Sequence, residues 1–219
     1  PGSPKWTPAN AKSGCAEAAY LNKRRTESTA RSNVFSTTLF GGGGGEIGAD
    51  PDEIVFTGGG TESTNMALKW LARLIGRKTG KVVTSAIEHS AVLRWVEEQP
   101  REAVRVPVTA GGRLEITAMK GSLENAAYVS LMAANNETGV IQPLSEVAEL
   151  AHERGVPVHS DAIQAVGKIP LNVRELGVDL LSMSAHKFHG PKGVGALYVR
   201  EGLRFKPLLH GGGQERGRR

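Results

Sequence analysis

The sequence predicts an α/β fold, a mostly parallel sheet flanked by helices, on three observations. Short apolar runs alternate with longer amphipathic stretches from Ile47 onward, and such alternation is the pattern of strands and crossover helices. The apolar runs are nearly continuous rather than alternating with polar residues, as expected of strands covered on both faces. Polar and glycine-rich clusters follow the runs, where sheets of this kind place their ligand-binding loops.

Residues 1–45 differ in texture, being rich in Ser, Thr, Asn, Gly and Pro and carrying five consecutive glycines at Gly41–Gly45. A segment without a sustained apolar period cannot bury a core, so it is expected to be atypical and poorly ordered. Ala16–Leu21 could form a turn or two of helix. From Ile47 the regular pattern begins. Asp50-Pro51-Asp52-Glu53 is a turn, Ile54–Thr57 a short buried strand and Gly58-Gly59-Gly60 a glycine corner. Thr61-Glu62-Ser63 opens a helix that carries Met66, Leu68, Leu71 and Leu74 towards Gly76. Strand, tight loop and helix make half of a parallel crossover unit.

The pattern repeats. Lys81–Ser85 reads as a strand, Ser90–Glu98 as a helix, Ala103–Val108 as a strand, Ile116–Glu124 as a helix and Ala127–Met132 as a strand. Pro143 suits the first turn of a helix over Leu144–Arg154, with Val147, Leu150 and Ala151 on one face and Gly155 closing it. Val156–His159 and Val178–Ser182 are strands, and Gly195–Val199 is an edge or antiparallel one. No solenoid-like repeat is present.

Composition narrows the class. With 219 residues, 39% hydrophobic and 22% charged, the chain has the make-up of a globular protein with a proper core. No apolar run approaches the roughly 18 residues of a membrane span, and the N-terminus lacks a basic region followed by an apolar one. The expectation is a cytoplasmic protein without a membrane partner. A single cysteine, Cys15, excludes an internal disulfide framework and fits a reducing compartment. The net charge of +5 raises nucleic-acid binding. The basic clusters, Lys23-Arg24-Arg25 and Arg216-Gly217-Arg218-Arg219, are not interleaved with aromatics, so no nucleic-acid partner is expected. A phosphorylated small molecule needs fewer, better-placed donors.

The loops after the strands carry the chemistry. Gly58-Gly59-Gly60-Thr61 leads into a helix N-terminus, where backbone N–H groups, a hydroxyl and the helix dipole form an anion cup. It lacks the Gly-Lys-Ser/Thr of a Walker loop and the wider spacing of a dinucleotide fingerprint; the plain alternative is a turn. Glu88-His89-Ser90 offers an imidazole for stacking or proton transfer, or simply a helix cap. Asn135-Asn136-Glu137-Thr138-Gly139 offers directed amides, or an Asx-turn. Asp161 could hold a ring nitrogen protonated, or cap a short helix. Lys187 follows the apolar run Val178–Leu181, and a lysine at a strand end beside a core is either solvated or a nucleophile suited to a Schiff base. His159, Asp161, His186 and His189 are metal-ligand types, but no pair has the helical spacing of a metal motif and the lysine would have no role; no metal is expected.

Together these signals prescribe pyridoxal 5'-phosphate: a phosphate cup, a stacking imidazole, a carboxylate for a ring nitrogen, an amide, hydroxyls and a Schiff-base lysine. The sequence also resembles a known family, the cysteine desulfurases and selenocysteine lyases within the class V aminotransferase-like enzymes. The runs that carry the resemblance are Thr57-Gly58-Gly59-Gly60-Thr61-Glu62-Ser63, Glu88-His89, Asn135-Asn136-Glu137-Thr138-Gly139 and His159-Ser160-Asp161-Ala162-Ile163-Gln164. They continue with Ser184-Ala185-His186-Lys187-Phe188-His189-Gly190-Pro191-Lys192-Gly193 and His210-Gly211-Gly212-Gly213-Gln214-Glu215-Arg216.

The resemblance implies the large domain of a fold type I enzyme. It implies that Lys187 attaches the cofactor, that His89 stacks on its ring and assists proton transfer, and that Asp161 pairs with the pyridine nitrogen. Gln164 would contact the ring hydroxyl, Asn136 the cofactor and substrate region, and Gly60, Thr61, Ser184 and His186 the phosphate. The implied reaction takes L-cysteine to L-alanine with sulfur passed to an acceptor protein, as in iron–sulfur cluster assembly; the alternatives are a selenocysteine lyase or another class V aminotransferase-like enzyme. A different class of alternative is a non-catalytic remnant that binds the cofactor or a partner. Family members carry a catalytic cysteine loop downstream of the Gly-Gly-Gly-Gln-Glu-Arg run. The chain is therefore expected to be a fragment truncated at both ends, with residues 46–219 an incomplete large domain and the C-terminal small domain absent. The fragment alone is expected to be inactive, and the full-length parent a homodimer.

Overall fold

The computed structural model describes residues 47–76, 80–209 and 212–219. The expectations for residues 1–45, including Cys15 and the basic run at Lys23, and for His210 and Gly211 lie outside the described residues. Seven strands are present: β1 (Ile54–Thr57), β2 (Lys81–Ser85), β3 (Ala103–Val106), β4 (Ala126–Met132), β5 (Val158–Asp161), β6 (Leu180–Ser184) and β7 (Gly195–Val199). They form one sheet in the order β1-β7-β6-β5-β4-β2-β3. β3, β2, β4, β5 and β6 run parallel, and β7 is antiparallel to both of its neighbours.

Five helices cover the sheet: α1 (Gly60–Ile75), α2 (Ser90–Glu97), α3 (Ile116–Ser122), α4 (Leu144–His152) and α5 (Val173–Leu176). Met66, Leu68 and Leu71 of α1 pack with Val92 and Val96 of α2 onto Val82, Tyr128, Leu180 and Leu197. On the opposite face, Met119 of α3, Val147 and Ala151 of α4 and Val173 of α5 pack onto Val83, Val129, Leu131, Leu181 and Met183. Neighbouring strand residues thus feed opposite cores, which is why the strands read as continuous apolar runs.

The structure revises several sequence expectations. β7 is antiparallel but interior, because β1 pairs along its other side. Leu74 is exposed; Trp70 is the buried aromatic of α1, its indole N–H donating to the Arg204 carbonyl at 3.2 Å and its ring stacking on Phe205. β3 stops at Val106 because Pro107 has no N–H to give the ladder. β5 starts at Val158 rather than Val156, since the Val156 N–H closes α4 on the Ala151 carbonyl and Pro157 has none. β6 begins at Leu180, and Asp179 just ahead of it is a buried staple. Its carboxylate accepts the Val158 N–H at 2.7 Å and pairs with His152 and Arg200 at 2.9 and 2.7 Å. α5 was not anticipated: four residues show no period, and its signals are the Asn172 side chain accepting the Arg174 N–H and left-handed Gly177 behind it.

Candidate functional site

The carboxyl ends of β1, β2, β4, β5 and β6 lie along one edge of the sheet, and register ties them together. Met132 pairs with Asp161, and Asp161 pairs with Ser182 two residues before the end of β6. Each strand delivers one or two polar side chains to that edge.

β1 delivers the glycine corner. The Thr57 hydroxyl lies 2.7 Å from that of Ser63, bracing the turn into α1. Gly60 is buried, and a Cβ there would lie 2.3 Å from Ile163 Cδ1 and 3.3 Å from Ser184 Cβ, so only glycine lets the corner close onto the ends of β5 and β6. A cavity of about 450 Å³ opens beside it, lined by Gly58 to Glu62, Ser184, His186, Lys192 and Gly193. The α1 N-terminus, 16 residues of aligned peptide dipoles behind it, supplies backbone donors to this cavity. The Ser184 hydroxyl and His186 Nδ1 are hydrogen-bonded at 2.9 Å. Gly60, Thr61, Ser184 and His186 are therefore brought together.

The remaining candidates meet in an adjoining cavity of about 170 Å³, lined by His89, Met132, Ala134, Asn136, Asp161, Ile163, Gln164 and Lys187. Ile163 is the wall shared with the corner. Asp161 is 4% exposed, and Oδ1 accepts the Ile163 N–H at 3.0 Å. Burial pushes its carboxyl above the ordinary value, opposed by that hydrogen bond and by the charge of His89. His89 is both cap and cavity residue: Nδ1 accepts the Ala91 N–H at 3.1 Å, which leaves Nε2 as the ring nitrogen available to a ligand. Gln164 Oε1 accepts from the Lys168 ammonium.

The two asparagines divide the alternatives between them. Asn135 is buried and shapes the loop, its Oδ1 accepting the N–H groups of Glu137 and Thr138 at 2.9 and 2.8 Å and its Nδ2 donating to the Ile87 carbonyl. Asn136 is exposed and lines the cavity. Lys187 sits not on the strand but on the single 3₁₀ turn Ala185–Phe188 that follows β6. It is anchored by buried Ala185 and Phe188 on either side, and no described residue pairs with its amine.

Sequence reasoning missed three charged residues here. Glu88 is buried behind His89: Oε1 accepts from the Ser85 hydroxyl at 2.5 Å and the Met132 N–H at 3.0 Å, while Oε2 has no partner among the described residues. Burial pushes its carboxyl up to about 8, against those hydrogen bonds and aided by the nearby Asp161. Glu62 and Lys192 both line the anion cup. The local runs gave no signal for Glu88 or Glu62, since the partners that tie them to the rest of the fold, Met132 and Arg219, lie 44 and 157 residues away. His159, by contrast, is no ligand: its ring is fully buried within the sheet between the Ser130 and Ser182 hydroxyls at 2.9 and 2.8 Å. Burial lowers its pKa to about 3, so it is neutral.

Comparison with known proteins bears on the fold and the family. The chain is 49% identical over 177 residues to the cysteine desulfurase IscS of Dictyoglomus turgidum, covering 79% of this chain and 45% of that protein. A solved NifS-like protein superposes with a TM-score of 0.76 at 39% identity, over 90% of this chain and 53% of that one. A structure of SspA in complex with cysteine gives 0.74 at 38% identity, over 78% and 51%. The chain thus spans a little under half the length of the curated relative. The family model described as aminotransferase class-V matches residues 46–217, and the chain belongs to that family.

Proposed function

We propose that residues 46–219 form the cofactor-binding domain of a cysteine desulfurase, holding pyridoxal 5'-phosphate through Lys187 for the conversion of L-cysteine to L-alanine with sulfur passed to an acceptor protein. The observation that carries this is the placement of Lys187, Asp161, His89 and Gln164 around one cavity that adjoins the anion cup of Gly60, Thr61, Ser184 and His186. The donor set suits the group. The cup offers backbone N–H groups, hydroxyls and an imidazole to a phosphate, and the cavity offers a buried carboxyl, an amide and a primary amine to a substituted pyridine. Asp161 supplies a further sign of fit: a carboxyl pushed upward by burial regains its charge most readily beside a cationic ring nitrogen. The named function of the relatives supports cysteine as substrate.

When bound, the cofactor supplies an electron sink for negative charge developing beside the substrate nitrogen. The chain's own residues do the rest. Lys187 would supply the amine that holds the cofactor, and from its 3₁₀ turn the same amine could hold or move a proton. Asp161 would hold a ring nitrogen in its protonated form. His89, with Nδ1 accepting the Ala91 N–H, would have Nε2 for proton movement in the cavity, and its cap on α2 orients the ring. Gln164 and Asn136 orient ring substituents and substrate.

The test is spectroscopic. Addition of pyridoxal 5'-phosphate to the purified chain is expected to produce a visible absorption band that Lys187→Ala abolishes. A band that survives in Lys187→Ala, or no band with the unsubstituted chain, contradicts the reading.

A further inference from the structure

The anion cup contains a negative charge of its own. Glu62 lines it, and its Oε2 accepts the Gly58 N–H at 2.7 Å. The fit is close enough that a Cβ at Gly58 would lie 2.9 Å from that oxygen. The carboxylate favours the start of α1 and fixes the corner, yet it opposes a phosphate entering the same cavity.

Arg219 resolves the conflict. Its Nε and Nη2 donate to the two oxygens of Glu62 at 2.7 and 3.2 Å, a forked pair that fixes orientation as well as charge. Arg219 is held in place by the segment that carries it. Glu215 Oε2 accepts the Phe56 N–H of β1 at 3.0 Å. Arg216 Nη2 donates to the Pro51 and Ile54 carbonyls at 3.2 and 3.0 Å, and Arg218 Nη1 to the Asp52 carbonyl at 2.6 Å. β1 is an edge strand, and the side chains of Glu215 and Arg216 occupy its Phe56 N–H and Ile54 carbonyl, with Arg216 and Arg218 also bound to the turn before it. The other charged or titratable groups lining the cup are Lys192 and His186.

We propose that Arg219 and Glu62 are positioning residues for phosphate recognition: the ion pair lets Glu62 hold Gly58 in place without repelling the phosphate, so the strapped segment 215–219 sets the affinity of the cup. The inference rests on the cofactor reading above and adds a specific dependence on the phosphate group.

Pyridoxal 5'-phosphate and pyridoxal, which share ring and aldehyde and differ in the phosphate, separate the two. Affinities of both are measured by absorbance titration for the unsubstituted chain, Arg219→Ala, Glu62→Gln and the double variant. Arg219→Ala is expected to weaken the phosphorylated ligand by about tenfold, equivalent to about 1.4 kcal/mol, and to leave pyridoxal within about twofold. Adding Glu62→Gln to Arg219→Ala is expected to recover most of that loss, and added salt to shrink it. Equal losses for the two ligands, no loss for either, or no recovery in the double variant would overturn the proposal. Binding of neither ligand by the unsubstituted chain would overturn the cofactor reading, and this inference with it.

Discussion

The Glu88 carboxyl accepts the backbone N–H of Met132 at 3.0 Å, tying the turn that carries His89 to the strand whose end pairs with Asp161. One oxygen thus links β2 to β4 beneath the cavity while the other is buried without a described partner. A carboxyl so placed keeps its proton, and burial pushes it from the ordinary 4.5 to about 8. A group raised in the folded state contributes stability that is present in full below its unfolded value and is lost as the pH rises through the folded one. The window here runs from about 4.5 to about 8. Glu88→Gln keeps the acceptor for Met132 and has no proton to lose. Its stability relative to the unsubstituted chain is expected to rise between pH 5 and pH 9, by at most about 1.4 kcal/mol per pH unit across the window. Urea midpoints at pH 5, 7 and 9 measure this, and parallel pH dependences would refute it.

His159 carries the opposite sign. Its pKa is depressed to about 3 from 6.5 by burial, so its contribution is present above pH 6.5 and lost as the pH falls towards 3. His159→Leu leaves the Ser130 and Ser182 hydroxyls without their bridge and is expected to cost about 2–4 kcal/mol at pH 7. The deficit should narrow at pH 4.5, where the unsubstituted chain has lost part of what its neutral histidine supplies. A deficit independent of pH would show that the ring acts by packing alone.

Gly60→Ala tests the closeness of the corner. The added Cβ would lie 2.3 Å from Ile163 Cδ1, which must turn into the cavity it walls. An overpacking cost of about 1–3 kcal/mol is expected, with weaker cofactor binding. Ile163→Val in the same chain removes the clashing methyl and should recover most of both, as thermal melts and absorbance titration would show. No recovery would mean that the corner itself has shifted.

Asp161→Asn keeps the size of the side chain and removes its charge. Loss of a hydrogen bond to a charged group corresponds to about 1.5–3 kcal/mol, so cofactor affinity is expected to fall roughly tenfold to hundredfold. Equilibrium dialysis reads the change directly. Unaltered affinity would separate Asp161 from the ring nitrogen.

Much of the fold was legible because its signals are local. Lys81–Ser85 and Gly195–Val199 were bounded as they stand, since turn residues or helix starts frame both. The interior position of Gly195–Val199 was not legible, because its second partner, β1, lies far back in the chain. The residues that line the two cavities were legible in the sequence at the glycine corner of Gly60 and at His89, Asn136, Asp161, Gln164 and Lys187, polar residues at or beyond strand ends and therefore at the edge where such sheets carry ligands. Glu88, Glu62 and Arg219 were not. Their roles come from a buried oxygen, a shared glycine N–H and an ion pair to the other end of the chain, none of which leaves a pattern in the adjacent residues.

The proposed attachment of the cofactor to Lys187 can be read by chemical trapping. Borohydride reduction of the chain mixed with pyridoxal 5'-phosphate, followed by digestion and mass analysis, locates the lysine that carries it. The predicted result is a single reduced adduct on Lys187, lost in Lys187→Ala with no other lysine taking its place. An adduct at Lys192 or Lys168 with Lys187 unmodified would contradict attachment at Lys187.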